Sequence, residues 1–434
     1  MVTTTTTIRT TTMLFGSCAA DSDTAVVFSL KRLYQAYLAC RKRKRATAQA
    51  QLYDLHLLDE LVWAQESLQN RTWQPRRTAC FVATRPKARE IHAAAFADRV
   101  VHHLLVPQLE TIYEPVFIHD SYSNRKGKGT HKAVKKLQQF MRQVTCNQKR
   151  RAYYCQLDIR NFFNSIDKQR LFNLLKQRLR QADPELLWLC RTLLAHNPCA
   201  NVKEVGSAKS FAQVPPYKRL KNAPRGKGLP IGNLTSQFFA NVYLNELDQF
   251  IKHQLKCRHY LRYVDDFILL HEDKAQLEAW QVAIINFLHE RLDLSLKDQG
   301  TLQPVSNGAD FLGYIVRPHY CLVRRRVVGN LREKLTHFES HHLATTPPDL
   351  KAVEALHATM ASYLGHFAHA SHYRLIRSLW QQYPWLGRYF RLTFPARHHK
   401  AHPKLIFSPY LQMMRKQARL HSPFTTYHPS EDIS

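Results

Sequence analysis

Two aspartates stand side by side at Asp265-Asp266, inside the run HYLRYVDDFILL from His259 to Leu270. Apolar, aromatic and β-branched residues on both sides predict a β-hairpin with the acids at its turn. An Asp pair at a turn is ordinarily turn chemistry. A second acid changes its weight. The run Tyr153-Tyr154-Cys155-Gln156-Leu157 predicts a strand leading into Asp158, and Asp167 can cap the helix that follows. An acid closing one strand and two acids on a hairpin can converge on neighbouring strands. Carboxylates so gathered repel one another, and divalent cations remove that penalty. Two Mg²⁺ ions about 3.5–4 Å apart can activate a 3′-hydroxyl and stabilise a leaving pyrophosphate. Hard oxygen ligands suit Mg²⁺, which also takes substrate phosphates.

Other elements must position these acids. Residues 28–70 read as a helical lead-in, with Leu52, Leu55, Leu58, Leu61 and Val62 at helical spacing. Cys80 to Ala83 suits a short strand interrupted by Pro86, and Ala94 to Leu109 reads as a helix ending near Pro107. A basic glycine turn at 124–130 precedes a helix from Lys132 to about Arg142. Residues 197–228 form a long Pro- and Lys-bearing connection. Leu234, Phe238, Val242, Leu244, Leu247 and Ile251 mark an amphipathic helix over 232–252. The run Arg324-Arg325-Arg326 leads to helices at about 327–340 and 349–369. A Thr-rich leader, 1–27, is expected to be disordered, and the basic tail from 396 loosely packed.

The chain has 434 residues, with 63 Lys and Arg against 33 Asp and Glu, a net charge of +30. Such an excess fits a polyanionic partner, because bound phosphates relieve the self-repulsion. The basic residues lie along the whole chain rather than on one amphipathic helix, which argues against a membrane surface. Nine cysteines without a C-x-x-C pair argue against structural zinc and a disulfide framework, and for reduced thiols in a cytoplasm.

Four stretches, in order, carry a resemblance. Leu157-Asp-Ile-Arg-Asn-Phe-Phe-Asn-Ser-Ile-Asp167, Gly228-Leu-Pro-Ile-Gly-Asn-Leu-Thr-Ser-Gln237, Tyr263-Val-Asp-Asp266 and Phe311-Leu-Gly-Tyr314 resemble the palm and primer-contact motifs of reverse transcriptases. The resemblance spans roughly residues 30–390. Within that family the second stretch, with residues 125–131 and Ser362-Tyr-Leu-Gly-His366, most resembles bacterial enzymes of diversity-generating retroelements and their defence-associated relatives.

The resemblance implies an α+β right-hand polymerase: fingers and palm at 28–325 with an antiparallel palm sheet, a helical thumb at 326–395, and a basic tail at 396–434. It implies catalytic Asp158, Asp265 and Asp266, with Ile159 joining them in the set that holds two Mg²⁺ ions, for which Mn²⁺ can substitute. Phe163 would block a ribose 2′-hydroxyl. Gly232 would let the backbone approach the base pair. Ser236 and Gln237 would face template or nucleotide. Ile231 stands where retroviral and intron relatives carry Gln. Lys87 and Arg89 resemble residues that hold the triphosphate, and Lys297 a proton donor to pyrophosphate. Arg125, Lys126 and Lys128, with Arg324, Arg325 and Arg326, would contact nucleic-acid phosphates.

The reaction so implied copies an RNA template into cDNA from dNTPs. A dedicated non-coding RNA, a small accessory protein and a role in mutagenic retrohoming or phage defence are implied only by the subfamily. Two rival functions remain on the residues alone: a catalytically silent RNA-binding scaffold, and RNA-templated RNA synthesis.

Overall fold

The computed structural model describes residues 27–84, 87–179, 183–343, 348–393 and 404–420. The expected leader (apart from residue 27), Pro86 and the tail beyond 420 lie outside them. In chain order the elements are α1 (Leu30–Arg41), α2 (Ala48–Leu55), α3 (Leu57–Gln69), β1 (Thr78–Ala83), β2 (Arg89–Ala93), α4 (Phe96–Tyr113), α5 (Thr130–Val144), β3 (Tyr153–Asp158), α6 (Phe162–Ser165), α7 (Lys168–Leu179), α8 (Pro184–Ala195), β4 (Val202–Glu204), α9 (Ala208–Ala212), α10 (Leu234–Gln249), β5 (His259–Tyr263), β6 (Asp266–His271), α11 (Lys274–Leu292), β7 (Thr301–Pro304), β8 (Ala309–Phe311), β9 (Tyr314–Val316), β10 (Cys321–Val323), α12 (Arg325–Phe338), α13 (Leu350–Phe367), α14 (Tyr373–Gln382), α15 (Leu386–Tyr389), β11 (Phe390–Thr393), β12 (Lys404–Phe407) and α16 (Pro409–Leu420).

They form two compact units, each discontinuous in sequence. The first takes the described residues of 1–118, with 159–250 and 285–297. Its sheet has the order β2-β1-β4, with β1 antiparallel to β2 and parallel to β4. Helix α9 contacts β1, and the larger helices pack on one another, α1 on α4, α4 and α7 on α10, and α7 on α8. Helix α10 is buried nearly all round, through Phe238, Phe239, Val242, Tyr243 and Leu247, as a helix inside a core must be.

Two expectations fail here for physical reasons. Helix α4 does not stop at Pro107 but runs to Tyr113. Burial of Leu105, Val106, Leu109 and Tyr113 outweighs the roughly 3 kcal/mol cost of an interior proline. The leucine stripe at 52–62 is not a core face. Leu52, Leu55, Leu58 and Val62 are exposed and only Leu61 is buried. The chain breaks at His56 between α2 and α3, so one helical period does not span the stripe. Ala50, Tyr53, Ala64 and Leu68 form the buried side instead.

The second unit takes 119–158, 251–284 and 298–434, as far as these are described. Its four-stranded sheet has the order β5-β6-β3-β7 and is antiparallel throughout. Helix α5 covers this sheet, burying Leu137 and Met141 beside Leu261, Ile268, Phe311 and Tyr314. A smaller sheet, β10-β9-β8, adjoins them. Helices α12 to α16 build a separate core around Leu335, Met360, Phe367, Leu379 and Phe390. The residues from 404 onward were expected in a loosely packed tail. They supply β12, paired with β11, and α16, whose Leu411 is buried in that core. Alternation along KLIF and a buried leucine decide this, and the surrounding positive charge hid both from view.

Candidate active site

In the second unit, β3 and β6 pair antiparallel with Asp158 directly opposite Asp266. On the other side of β6, Tyr263 of β5 stands opposite the same Asp266. Asp265 occupies the two-residue turn between them. Two acids from distant sequence therefore meet as a cross-strand pair, with the third one residue away. Directly opposed side chains in a ladder lie about 4.5–5.5 Å apart at Cβ, where like charges destabilise. Burial pushes Asp266 up to about 7, and Asp158, Asp265 and Asp310 add to the rise. An opposing hydrogen bond from Gln156 Nε2 reaches Asp266 Oδ1 at 3.0 Å. Gln156 also donates to the carbonyl of Asp310, at 3.2 Å. An oxygen-only donor set with surplus negative charge fits a hard divalent cation.

The turn itself is strained. Val264 has φ +57°, a conformation glycine adopts readily and a β-branched residue rarely does. Such a residue costs on the order of 1–3 kcal/mol and persists only when its surroundings hold it. Arg262 does the holding. Its side chain is fully buried, and its guanidinium donates to Val264 O at 3.0 Å and to Ser121 Oγ at 3.2 Å. The Arg262 backbone also bonds to Asp120 and Tyr122. Tyr263 is tied in turn, its hydroxyl accepting from Thr130 Oγ1 at 3.1 Å at the start of α5.

The predicted basic contacts divide. Arg125 donates to Ser121 O at 3.1 Å, and Lys128 to His119 O at 2.8 Å while lying over the Tyr122 ring. Arg324 is paired with Asp310 and bonds through its amide to Gly313 O. These three are engaged within the fold. Lys126, Arg325 and Arg326 are exposed. The Phe311-Leu-Gly-Tyr314 motif is the β8–β9 hairpin, with Leu312 and Gly313 both at positive φ. Tyr314 Oη donates to His366 O at 2.9 Å, joining this hairpin to the Ser362–His366 motif on α13.

The first unit carries the other predicted residues. Lys87 and Arg89 are exposed on the β1–β2 hairpin. Phe162 is core, whereas Phe163, against it edge-on at 5.5 Å, is half-buried. Ile231 is half-buried and its carbonyl accepts from His92 N at 2.7 Å. Gly232 has φ +121°, and a Cβ there would lie 3.2 Å from His92 O. Gln237 is half-buried in the first turn of α10, but Ser236 is buried, which removes it from any template-facing role. Ile159 is buried and bridges to Leu296, next to exposed Lys297.

Sequence reasoning missed Gln156, Arg262 and Asp310. Gln156 was findable, since period two puts it on the same face as Asp158. An arginine inside an apolar strand run was the signal for Arg262.

Residues 83–316, more than half of the chain, match the family model described as reverse transcriptase (RNA-dependent DNA polymerase). Protein YkfC of Escherichia coli K12 is 24% identical over 300 residues, covering 61% of this chain and 73% of YkfC. The group II intron-encoded protein LtrA of Lactococcus lactis subsp. cremoris is 23% identical over 318 residues, covering 58% and 49%. Among solved structures, apo telomerase from Candida tropicalis superposes with a TM-score of 0.43 at 11% identity, covering 68% of this chain and 58% of that one. The chain thus spans about half the length of LtrA and somewhat more of telomerase.

The raised Asp266 acid makes stability depend on pH. Its folded-state value of about 7 lies above the unfolded value of about 4. Stability from its bound proton is complete below the lower value and lost as pH rises through the upper one. In EDTA, urea unfolding of the wild type should therefore weaken from about pH 4 to pH 7 relative to Asp266→Asn, and Mg²⁺ should recover the loss. Parallel pH curves for the two proteins would contradict it.

Proposed function

The chain belongs to the reverse transcriptase (RNA-dependent DNA polymerase) family, and from that premise we propose that it copies an RNA template into cDNA at Asp158, Asp265 and Asp266. The observation that carries the reading is the cross-strand pairing of Asp158 with Asp266 beside Asp265. Its fold is the family's right-hand polymerase, with the antiparallel sheet β5-β6-β3-β7 as the palm. Asp158, Asp265 and Asp266, with the Ile159 carbonyl, would hold two Mg²⁺ ions, or Mn²⁺ in their place. Bound there, the ions supply an activated 3′-hydroxyl and a stabilised pyrophosphate leaving group.

The chain's own groups set up that chemistry. Gln156 orients the Asp266 carboxylate through Oδ1. Arg324 neutralises Asp310, so the charge beside the centre is held in check. Lys87 and Arg89 would neutralise the incoming triphosphate, and Lys297 would protonate the departing pyrophosphate. Phe163 would exclude the ribose 2′-hydroxyl, and Ile231 with Gly232 would line the nascent base pair. A template RNA, a DNA or RNA primer end and dNTPs are the partners; a dedicated non-coding RNA and an accessory protein belong to the finer reading, as do mutagenic retrohoming and phage defence. The eight described cysteines are free thiols, which suits a cytoplasmic setting. No described helix is long and apolar enough to cross a membrane.

Four variants test these roles. Asp158→Asn or Asp265→Asn should lower dNTP incorporation on a primed RNA by at least about 100-fold, with RNA affinity little changed. Synthesis at the wild-type rate by either variant would remove these acids from the catalytic centre. Phe163→Ala should admit rNTPs in the same assay while retaining dNTP use. Unchanged sugar discrimination would assign the gate elsewhere. Ile231→Gln should lower the misincorporation frequency, because an apolar wall discriminates by only about 1–3 kcal/mol whereas unpaired polar groups reject more strongly. Equal error spectra from two comparably active enzymes would remove Ile231 from fidelity control and weaken the mutagenic reading.

A further inference from the structure

The β1–β2 hairpin brings together three side chains that the polymerase chemistry does not use. Cys80 on β1 stands directly opposite His92 on β2, and Glu90 lies two residues earlier on the same face as His92. All three are buried, at 3%, 3% and 7% exposure for Cys80, His92 and Glu90. Cys80 Sγ is 3.8 Å from His92 Nε2, and His92 Nε2 is 3.5 Å from Glu90 Oε2. One ligand atom from each lies within 4.8 Å of the others. We propose that Cys80, Glu90 and His92 bind a zinc ion that braces the fingers hairpin.

The distances argue for it. Zinc bonds of about 2.3 Å to sulfur and 2.0–2.2 Å to nitrogen or oxygen give tetrahedral edges of about 3.4–3.6 Å. The two measured edges are already near that length with no ion in place. The donor set of one thiolate, one imidazole and one carboxylate is a zinc set by softness. Charge agrees: a thiolate, a carboxylate and a neutral imidazole exactly offset a divalent cation in a buried place where surplus charge is costly. Glu90 is oriented from behind by Leu220 N at 3.0 Å and Arg219 Nε at 4.0 Å, as outer partners of a metal ligand are. Burial, with Glu90 nearby, pushes the Cys80 thiol up to about 12; a coordinated ion deprotonates it outright.

The site has a structural consequence for its unit. The amide of His92 donates to Ile231 O, and its carbonyl lies against Gly232. An ion fixing the His92 ring would therefore hold the strand on which the 231–232 backbone rests. This assignment stands apart from the polymerase reading.

Metal content and cobalt spectroscopy test it on the full chain. After reconstitution with zinc chloride and dialysis, elemental analysis should find about one zinc per chain, and less than a tenth of that in Cys80→Ser and in His92→Ala. Titration of the wild type with Co²⁺ should produce a thiolate-to-cobalt charge-transfer band in the near ultraviolet. That band should disappear in Cys80→Ser and persist in Cys257→Ser. The wild-type spectrum decides the matter even where a variant fails to fold. A zinc-free wild type with no cobalt band would overturn the proposal and leave a buried His92–Glu90 hydrogen bond. Zinc retained equally in Cys80→Ser and His92→Ala would overturn it too.

Discussion

The four-stranded sheet turns on one unfavourable pairing: Asp158 and Asp266 face each other across β3 and β6 with Asp265 beside them. Nothing in a sheet rewards such a pair. The surrounding residues are arranged to tolerate it. Gln156 donates to one carboxylate, Arg324 occupies the neighbouring Asp310, and burial keeps a proton on Asp266 well above the ordinary carboxylate range. The repulsion is thereby contained in a form that cations relieve on binding.

The same logic explains the hairpin tip. A relaxed turn would place glycine at 264, and this chain places valine there at positive φ. The energy held in that residue is balanced by a buried guanidinium reaching around from two residues earlier. Planar, multiply donating arginine suits this task, and lysine could not serve both Val264 O and Ser121 Oγ with the same geometry. The strain at Val264, and with it the position of Asp265, is thus set from inside the core rather than by the loop alone.

The acids were legible because their signals are local: alternation around an Asp pair, and a strand closing on an Asp. The exposure of Leu52, Leu55 and Leu58 was not, because the chain breaks at His56 and one helical period does not span the stripe. Pro107 misled for the opposite reason, since tertiary burial overrode a local rule. The Cys80, Glu90 and His92 cluster escaped because its ligands come from facing strands, and C-x-x-C spacing tests only for ligands on one local segment. Arg125, Lys128 and Arg324 were read as a charge pattern, whereas their carbonyl and carboxylate partners belong to the fold.

That internal engagement has a consequence for counterions. Each phosphate met by a cation releases about 0.9 condensed ions from duplex DNA and about 0.7 from a single strand. Of six basic residues in the glycine turn and at the head of α12, three already serve carbonyls or a carboxylate. A phosphate must compete with those partners for the cation, which lowers the logarithmic salt slope of RNA binding below what the composition of these two segments suggests. A protein with a formal charge of +30 is in this region a weaker electrolyte partner than its charge implies.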